Sequence, residues 1–342
     1  MSAPTARWLD GAPDGWDALV AADPASSPTH RPAVWEAFAA TLPGYRPRVL
    51  AIERGGELVG GVPLVELRRG PLTWLHALPL TLPAPPLARP GGHAEVFACA
   101  AQQVTGLARE VGAVGGVWSW YRATGAEPWP AEALRVLGEA RTIEASVVEL
   151  GAGIDGARAR LGRKERATLR HARSAFAFSD DPGALEGVYA LHAAQSRRWG
   201  GHRVLPLELS RRLLAAGGEP AVARLFSLSD AHGIVSGALA LDGPHETFLW
   251  WSGTHPEGRR RGAFPLLAWR VVEWAAAAGR VRVNLGASTG LARVAAFKHG
   301  LGTTALRYPV RWLGARHAPP AGRAVAWLQA LVRRGRARGE AA

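Results

Sequence analysis

RLFSLSDAHGIVSGALALDG (224–243) reads as two β-strands joined by a tight turn, and RVLAIERGGELVGGVPLVEL (48–67) reads the same way. Each is an apolar run, a turn containing Gly, and a second apolar run, which is the pattern of a β-hairpin. The two copies lie 176 residues apart: Leu58, Val59 and Gly61 fall on Ile234, Val235 and Gly237, and Arg48 falls on Arg224. At the same offset LTWLH (72–76) lands on FLWWS (248–252), Trp74 on Trp250. Neighbours on a strand face opposite ways, so Trp250 and Trp251 are expected to face core and cleft in alternation.

Helical patterns flank each hairpin. Val34, Trp35, Phe38 and Leu42 have helical spacing before the first; Ala94 to Glu110 follows it and leads to a strand over 116–121. After the second hairpin, Pro265 to Ala278 is helical with Pro in its first turn, and RVRVNLG (280–286) is a strand. The repeat predicts a duplicated α/β (α+β) chain, cut as 1–150, 151–315 and a C-terminal tail at 316–342. In that tail Val325, Leu328 and Val332 share one face of a basic amphipathic helix, which packs on the protein or lies on an anionic membrane surface.

Charge separates the halves. Residues 1–150 hold 12 Arg and 15 acids, net −3; residues 151–342 hold 29 basic residues and 13 acids, net +16. The second half therefore attracts anions: a phosphorylated small molecule, RNA or a membrane surface. No apolar run reaches the roughly 18 residues a membrane-spanning helix needs. The N-terminus lacks a signal-peptide layout, and one cysteine cannot form an internal disulfide; a cytoplasmic location is expected. Cys99 itself reads as a buried core thiol. The 11 His show no metal-ligand spacing, so no metal is expected. His192 shares an apolar face with Leu185, Val188 and Tyr189 and reads as a hydrogen-bonded core histidine.

Chemistry concentrates in 246–312. Strand ETFLWWSGT runs into THPEGRRRGAFPLLAW, where Arg259, Arg260, Arg261, Gly262 and Ala263 stand at a helix entrance, a natural anion site. Next, NLGASTGLARVAAFKHGLG (284–302) gives a strand, a polar turn at 287–290 and a short helix carrying Phe297 and Lys298. Only Lys164 and Lys298 are lysines among 41 basic residues, so each stands out as a compact point charge in an arginine-rich chain. Upstream, Arg163, Arg166, Arg170 and Arg173 share one helical face; like charges so placed cost about 0.2–0.5 kcal/mol per pair, which an anionic ligand would offset.

The order helix, hairpin, Trp strand, R-x-x-G turn, helix, strand, helix, strand resembles the GNAT acyltransferase fold. GRKERATLRHAR (162–173) and NLGAS…AAFKHGLGTTALRYPV (284–310) resemble the FemAB-like branch, with two tandem GNAT-like domains, each a mixed sheet flanked by helices. That family joins an acyl or aminoacyl group to an amine, from acyl-CoA or aminoacyl-tRNA as co-substrate, with no bound cofactor. The resemblance places Lys298 near the reacting carbonyl. It implies a donor site at Trp251, Ser252, Gly253 and Arg259 to Ala263. Arg163, Lys164, Arg166, Arg170, Trp250, Asn284 and Ser288 are then expected toward phosphate or acceptor. One departure stands out: Phe264 occupies the last small position of the R-x-x-G-x-G/A loop. The acceptor implied is an amine of a small molecule or cell-envelope precursor; the base is open between a carboxylate such as Glu246 or Glu273 and water. The other class in view is a non-catalytic protein that binds RNA or an anionic surface; DNA is not expected.

Overall fold

The computed structural model describes residues 3–78, 82–120, 140–198, 204–218, 220–288 and 291–313. Thr289, Gly290 and the expected C-terminal helix at 316–342 lie outside them. The chain forms two compact units: Met1–Ala25 with Phe38–Thr142 and Tyr308–Ala342, and Ser26–Ala37 with Ile143–Arg307. Relative to cuts at 150 and 315, the second unit also takes residues 26–37.

In the first unit, strands β1 (Thr5–Leu9), β2 (Tyr45–Arg54), β3 (Glu57–Arg69) and β4 (Leu72–His76) form an antiparallel sheet in that order, and β5 (Leu87–Ala88) pairs with β3. Beyond β4 the pairing turns parallel: Leu75 N–H donates to Gly115 O and Ala77 N–H to Val117 O, leading into β6 (Val117–Ser119). Helices α1 (Trp16–Ala22) and α3 (His93–Glu110) cover this sheet; α2 (Pro32–Thr41) lies at the division between the units. Cys99, expected in the core, is half-buried on α3, whose inner face is taken by Val96, Phe97, Ala100 and Val104. Burial, with the Glu95 charge adding to it, pushes its thiol up.

The second unit contains β7 (Ala140–Glu149), α4 (Gly153–Ala159), α5 (Arg163–Arg173), β8 (Ala177–Ser179), α6 (Leu185–Arg198) and α7 (Leu207–Ala215). These are followed by β9 (Ala223–Asp230), β10 (Gly233–Asp242), β11 (Glu246–Thr254), α8 (Pro256–Arg260), α9 (Ala263–Ala277), β12 (Arg282–Ala287), α10 (Ala292–Gly300) and β13 (Thr304–Trp312). The sheet order is β7-β12-β11-β10-β9-β8, antiparallel except for β11 beside β12. Helix α9 is apolar nearly all round, and its Leu266, Leu267, Trp269 and Val272 pack with Val148, Phe226, Ala238 and Val283 in one core. Helices of that composition are buried ones.

The two hairpins agree residue for residue. Gly61 pairs with Ala51 in the first, and Gly237 with Ser227 in the second. Both skip one residue: Val59, between Leu58↔Glu53 and Gly60↔Ile52, and Val235, between Ile234↔Ser229 and Ser236↔Leu228. A bulge at the same place in both copies is a conserved device of the backbone rather than a coincidence of composition. Gly61 and Gly237 share a purpose as well: a Cβ on Gly61 would lie 2.6 Å from Trp16 of α1, and one on Gly237 2.3 Å from Val188 of α6. Each hairpin thus lets a helix close onto its middle.

The third strand breaks the correspondence. Glu66 pairs with Leu75, whereas Leu239, three residues before the equivalent Asp242, pairs with Trp251. Trp74 and Trp250 are therefore not equivalent positions. Trp250 is itself skipped between Leu239↔Trp251 and Ala240↔Leu249, and that bulge ends the alternation expected of the pair: both Trp250 and Trp251 are half-buried.

Replacing Gly237 by Ala forces α6 off the sheet, a cost of about 1–3 kcal/mol expected for overpacking. Urea unfolding of Gly237→Ala should show the lower midpoint at unchanged slope.

Candidate active site

The site is built where β11 and β12 part. They pair at only three positions, Glu246↔Arg282, Thr247↔Val283 and Phe248↔Asn284. The reason lies in β12. Asn284 Oδ1 accepts from the Gly286 N–H at 2.8 Å, and Gly286 has φ +72°, a left-handed turn that glycine adopts without strain. The strand bends there and resumes its pairing on the other side at Ala287↔Ala145.

Below the fork the strands are clamped. Arg282 Nε donates to Glu246 Oε2 at 2.7 Å, with both side chains almost wholly buried, and Arg282 Nη2 donates to Ser26 O at 2.8 Å. Asn284 Nδ2 reaches Glu246 Oε1 at 3.4 Å. Asp242, fully buried, takes a two-pronged grip from Arg280 (3.0 and 2.8 Å) and the Thr247 hydroxyl at 2.8 Å. The carboxylate of Glu246 is thus spent on Arg282 and Asn284. Glu273 is likewise occupied, by Arg173, Arg270 and the Trp269 indole. Neither carboxylate is placed as an open base.

Above the fork, β11 has β10 on one side and, among the described residues, no strand on the other. Peptide groups alternate along a strand, so those of Ser252 and Thr254 share an edge. His255 N–H donates to Val235 O of β10, which puts Ser252 and Thr254 on the open edge. Side chains of α6 meet them there. His192 Nδ1 bonds Ser252 O at 2.9 Å, and Gln195 Oε1 accepts from Thr254 N–H at 3.2 Å. The Ser252 N–H points the same way. Gly253 makes this closeness possible, since a Cβ there would stand 2.2 Å from the His192 backbone nitrogen. Trp251 packs against His192, centroids 4.7 Å apart and planes tilted by 30°, and meets Tyr189 edge-on.

The facing wall is the end of β12 with α10. Lys298, expected near the chemistry from sequence, is buried in the last turn of α10 and donates to Gly286 O (2.9 Å) and Ala287 O (3.0 Å). Burial pushes its ammonium down to about 8. Ser288 follows directly, its Oγ buried with no hydrogen-bond partner among the described residues.

The R-x-x-G turn is more occupied than its sequence suggests. Arg259 donates to Gln195 at 3.2 Å, Arg260 pairs with Glu257, and Arg261 bridges to Asp230 while lying over the Phe176 ring. Gly262 has φ +77°, and the space where a side chain would stand is filled by Thr168 of α5, 2.6 Å from an ideal Cβ. Ala263 is buried, and Pro265 offers no N–H. Phe264 turns aside and packs on Phe297, centroids 5.6 Å apart. Helix α5 borders this turn and also α10, where Gly162 N–H donates to Gly300 O at 2.8 Å. Its Arg163, Lys164, Arg166 and Arg170 are exposed, with no ion pair among the described residues; Arg173 is held by Glu273. Among the described residues no His, Cys, Asp and Glu group could hold a metal, and no helix is long and apolar enough to cross a membrane.

Residues 155–299 match the family model described as an acetyltransferase (GNAT) domain. The matched stretch lies within the second unit. The chain is similar to the crystal structure of FemX (TM-score 0.69, 13% identity, 89% of this chain and 96% of that one). It also resembles a tandem GNAT protein from the clavulanic acid biosynthesis pathway (0.52, 14%, 90% and 97%). A third is a conserved protein of unknown function from Bacteroides thetaiotaomicron VPI-5482 (0.57, 11%, 90% and 100%). At such identities the likeness shows the fold, two tandem GNAT-like units. No curated protein sequence matches the chain. His192 and Gln195 are the site residues that sequence reading missed as such; polar side chains at i and i+3 on a helix's buried face were the available signal.

Removing the clamp leaves a buried guanidinium unpaired, which costs about 3–5 kcal/mol. Glu246→Ala should lose that much in denaturant unfolding, whereas Glu257→Ala, at an exposed pair, should change stability by less than about 1 kcal/mol.

Proposed function

We propose that the second unit transfers an acyl group from acyl-CoA to a primary amine by direct attack, within the fork between β11 and β12. What supports this reading is the β11 edge beyond its pairing with β12, which carries the Ser252 N–H, together with Lys298 held at the Gly286 and Ala287 carbonyls where β12 turns away. The acceptor nitrogen attacks the donor carbonyl, the C–S bond of the thioester breaks, and the thiolate takes up the proton the amine releases. Ser252 N–H and Lys298 stabilise the oxyanion formed on the way, a contribution of about 3–4 kcal/mol per donor. The acceptor is an amine on a small molecule or cell-envelope precursor. Trp250 and Trp251 flank it on β11, and Arg259 to Ala263 lie toward the donor's phosphates.

A second reading rests on the filled turn. Thr168 against Gly262 and Phe264 on Phe297 narrow the place where a CoA pyrophosphate would sit. The exposed Arg163, Lys164, Arg166 and Arg170 offer instead a surface for the phosphates of an aminoacyl-tRNA donor. Acetyl-CoA separates the two. At 100 times its Kd, a ligand of the native state stabilises it by about 2.7 kcal/mol, or roughly 5–10 °C for a unit of this size. Such a shift supports the CoA donor; no shift at millimolar acetyl-CoA moves the assignment to the tRNA donor.

For Lys298 the expected loss in Lys298→Ala is about 10²–10³-fold in kcat, and activity within threefold of wild type would remove it from the mechanism. The ammonium is the acting form, so activity should fall as pH rises through about 8. That alkaline limb should be missing from the residual rate of Lys298→Ala.

A further inference from the structure

A helix packed on a β-sheet presents apolar side chains to it, yet α6 presents His192, Gln195 and Ser196, all buried at i, i+3 and i+4. Two of them do what a neighbouring strand would do. With β12 bent away at Gly286, the open edge of β11 carries a carbonyl at Ser252 and an N–H at Thr254, two residues apart and facing the same way. His192 supplies the donor for the first and Gln195 the acceptor for the second. A carbonyl can only accept, so His192 carries its proton on Nδ1. Gln195 also accepts from Arg259 Nη2, tying the strand end to the first arginine of the turn.

We propose that His192 and Gln195 are positioning residues: they replace the departed strand, fix the Ser252 and Thr254 peptides, and so aim the Ser252 N–H at the donor carbonyl. This rests on the acyl-transfer reading of the fork. Both bonds fall just after the Ser252 N–H in the chain, one on its own residue's carbonyl and one two residues on. Fixing the two peptides that follow it restrains the rotation that would swing this N–H out of the edge. Misplacement of a reacting group by about 1 Å costs on the order of 100-fold in rate, so small rotations matter. Packing of the Trp251 ring against His192, at a 30° tilt, restrains the imidazole.

The test uses His192→Asn, whose amide nitrogen can stand in for Nδ1–H, and His192→Phe, which keeps the ring packing and loses the donor. The full-length protein is assayed for acyl transfer against amine acceptors. Positioning predicts that His192→Phe lowers kcat by about 10- to 100-fold with donor KM within threefold, and that His192→Asn recovers most of the loss. Equal loss in both, with disappearance of the acidic limb of the pH–rate profile, would make His192 the general base and overturn the proposal. Gln195→Glu should likewise retain more activity than Gln195→Leu. Amide hydrogen exchange supplies a readout that needs no turnover: the Thr254 amide should be protected in the wild type and exchange faster in Gln195→Leu. Failure of the wild type to acylate any amine would sink the acyl-transfer reading. Unchanged Thr254 exchange would sink the positioning role on its own.

Discussion

Everything at the fork depends on the buried ion pair between Glu246 and Arg282. Two strands that run parallel for three residues and then separate have little ladder to hold them. Charge does the holding, at the one point where separation would undo the site. The pair would be expensive alone, because desolvating two ions costs several kcal/mol each. Here Ser26 O takes an Arg282 Nη2 donor and Asn284 reaches the second carboxylate oxygen. A few residues away, Asp242 and Arg280 repeat the arrangement. The result is a rigid vertex from which the walls can diverge without the sheet coming apart.

The two units share the plan of a hairpin and part company at the third strand. The hairpins kept their register, their bulge and their glycine, since these are fixed by how a helix closes on a twisted pair of strands. The third strand did not keep its register. In the second unit it gained the Trp250 bulge and a free edge; in the first, β4 continues directly into parallel pairing toward β6. The first unit also closes a polar pocket on itself. Asp23 accepts from Ala25 and Ala88 N–H and faces His93 Nε2 at the start of α3. Burial works to raise its carboxyl, but those hydrogen bonds outweigh it and hold the carboxyl below its ordinary range. A carboxylate of the chain itself thus sits where that helix begins.

The hairpins, the helix over 93–110 and the strand–turn–helix around Lys298 were legible in the sequence, because periodicity and glycine spacing are local. Lys298 could be singled out there too, through the scarcity of lysine. Lateral contacts were not legible. Nothing near Gly262 announces that Thr168, far upstream, will fill its open side, and nothing near Phe264 announces Phe297. The three arginines of the turn read as an anion site because their partners, Gln195, Glu257 and Asp230, sit mostly on other elements. Glu246 read as a base because a carboxylate's partner is invisible until two strands are laid side by side. Asn284, expected at the substrate, has its amide bonded to Glu246 and to the Gly286 N–H, a backbone role that its sequence neighbours do not announce.

At Gly253 the α6 backbone is pressed where even a methyl group would collide, so the β11 edge cannot yield in the direction of the helix. Under the proposed acyl transfer, new acceptors therefore cannot be admitted by reshaping that side. Variation among descendants of this chain should leave the contact between α6 and β11 untouched and accumulate on the surfaces that face the fork from elsewhere. The strand acts as a fixed anvil, and selectivity is a property of whatever is brought against it.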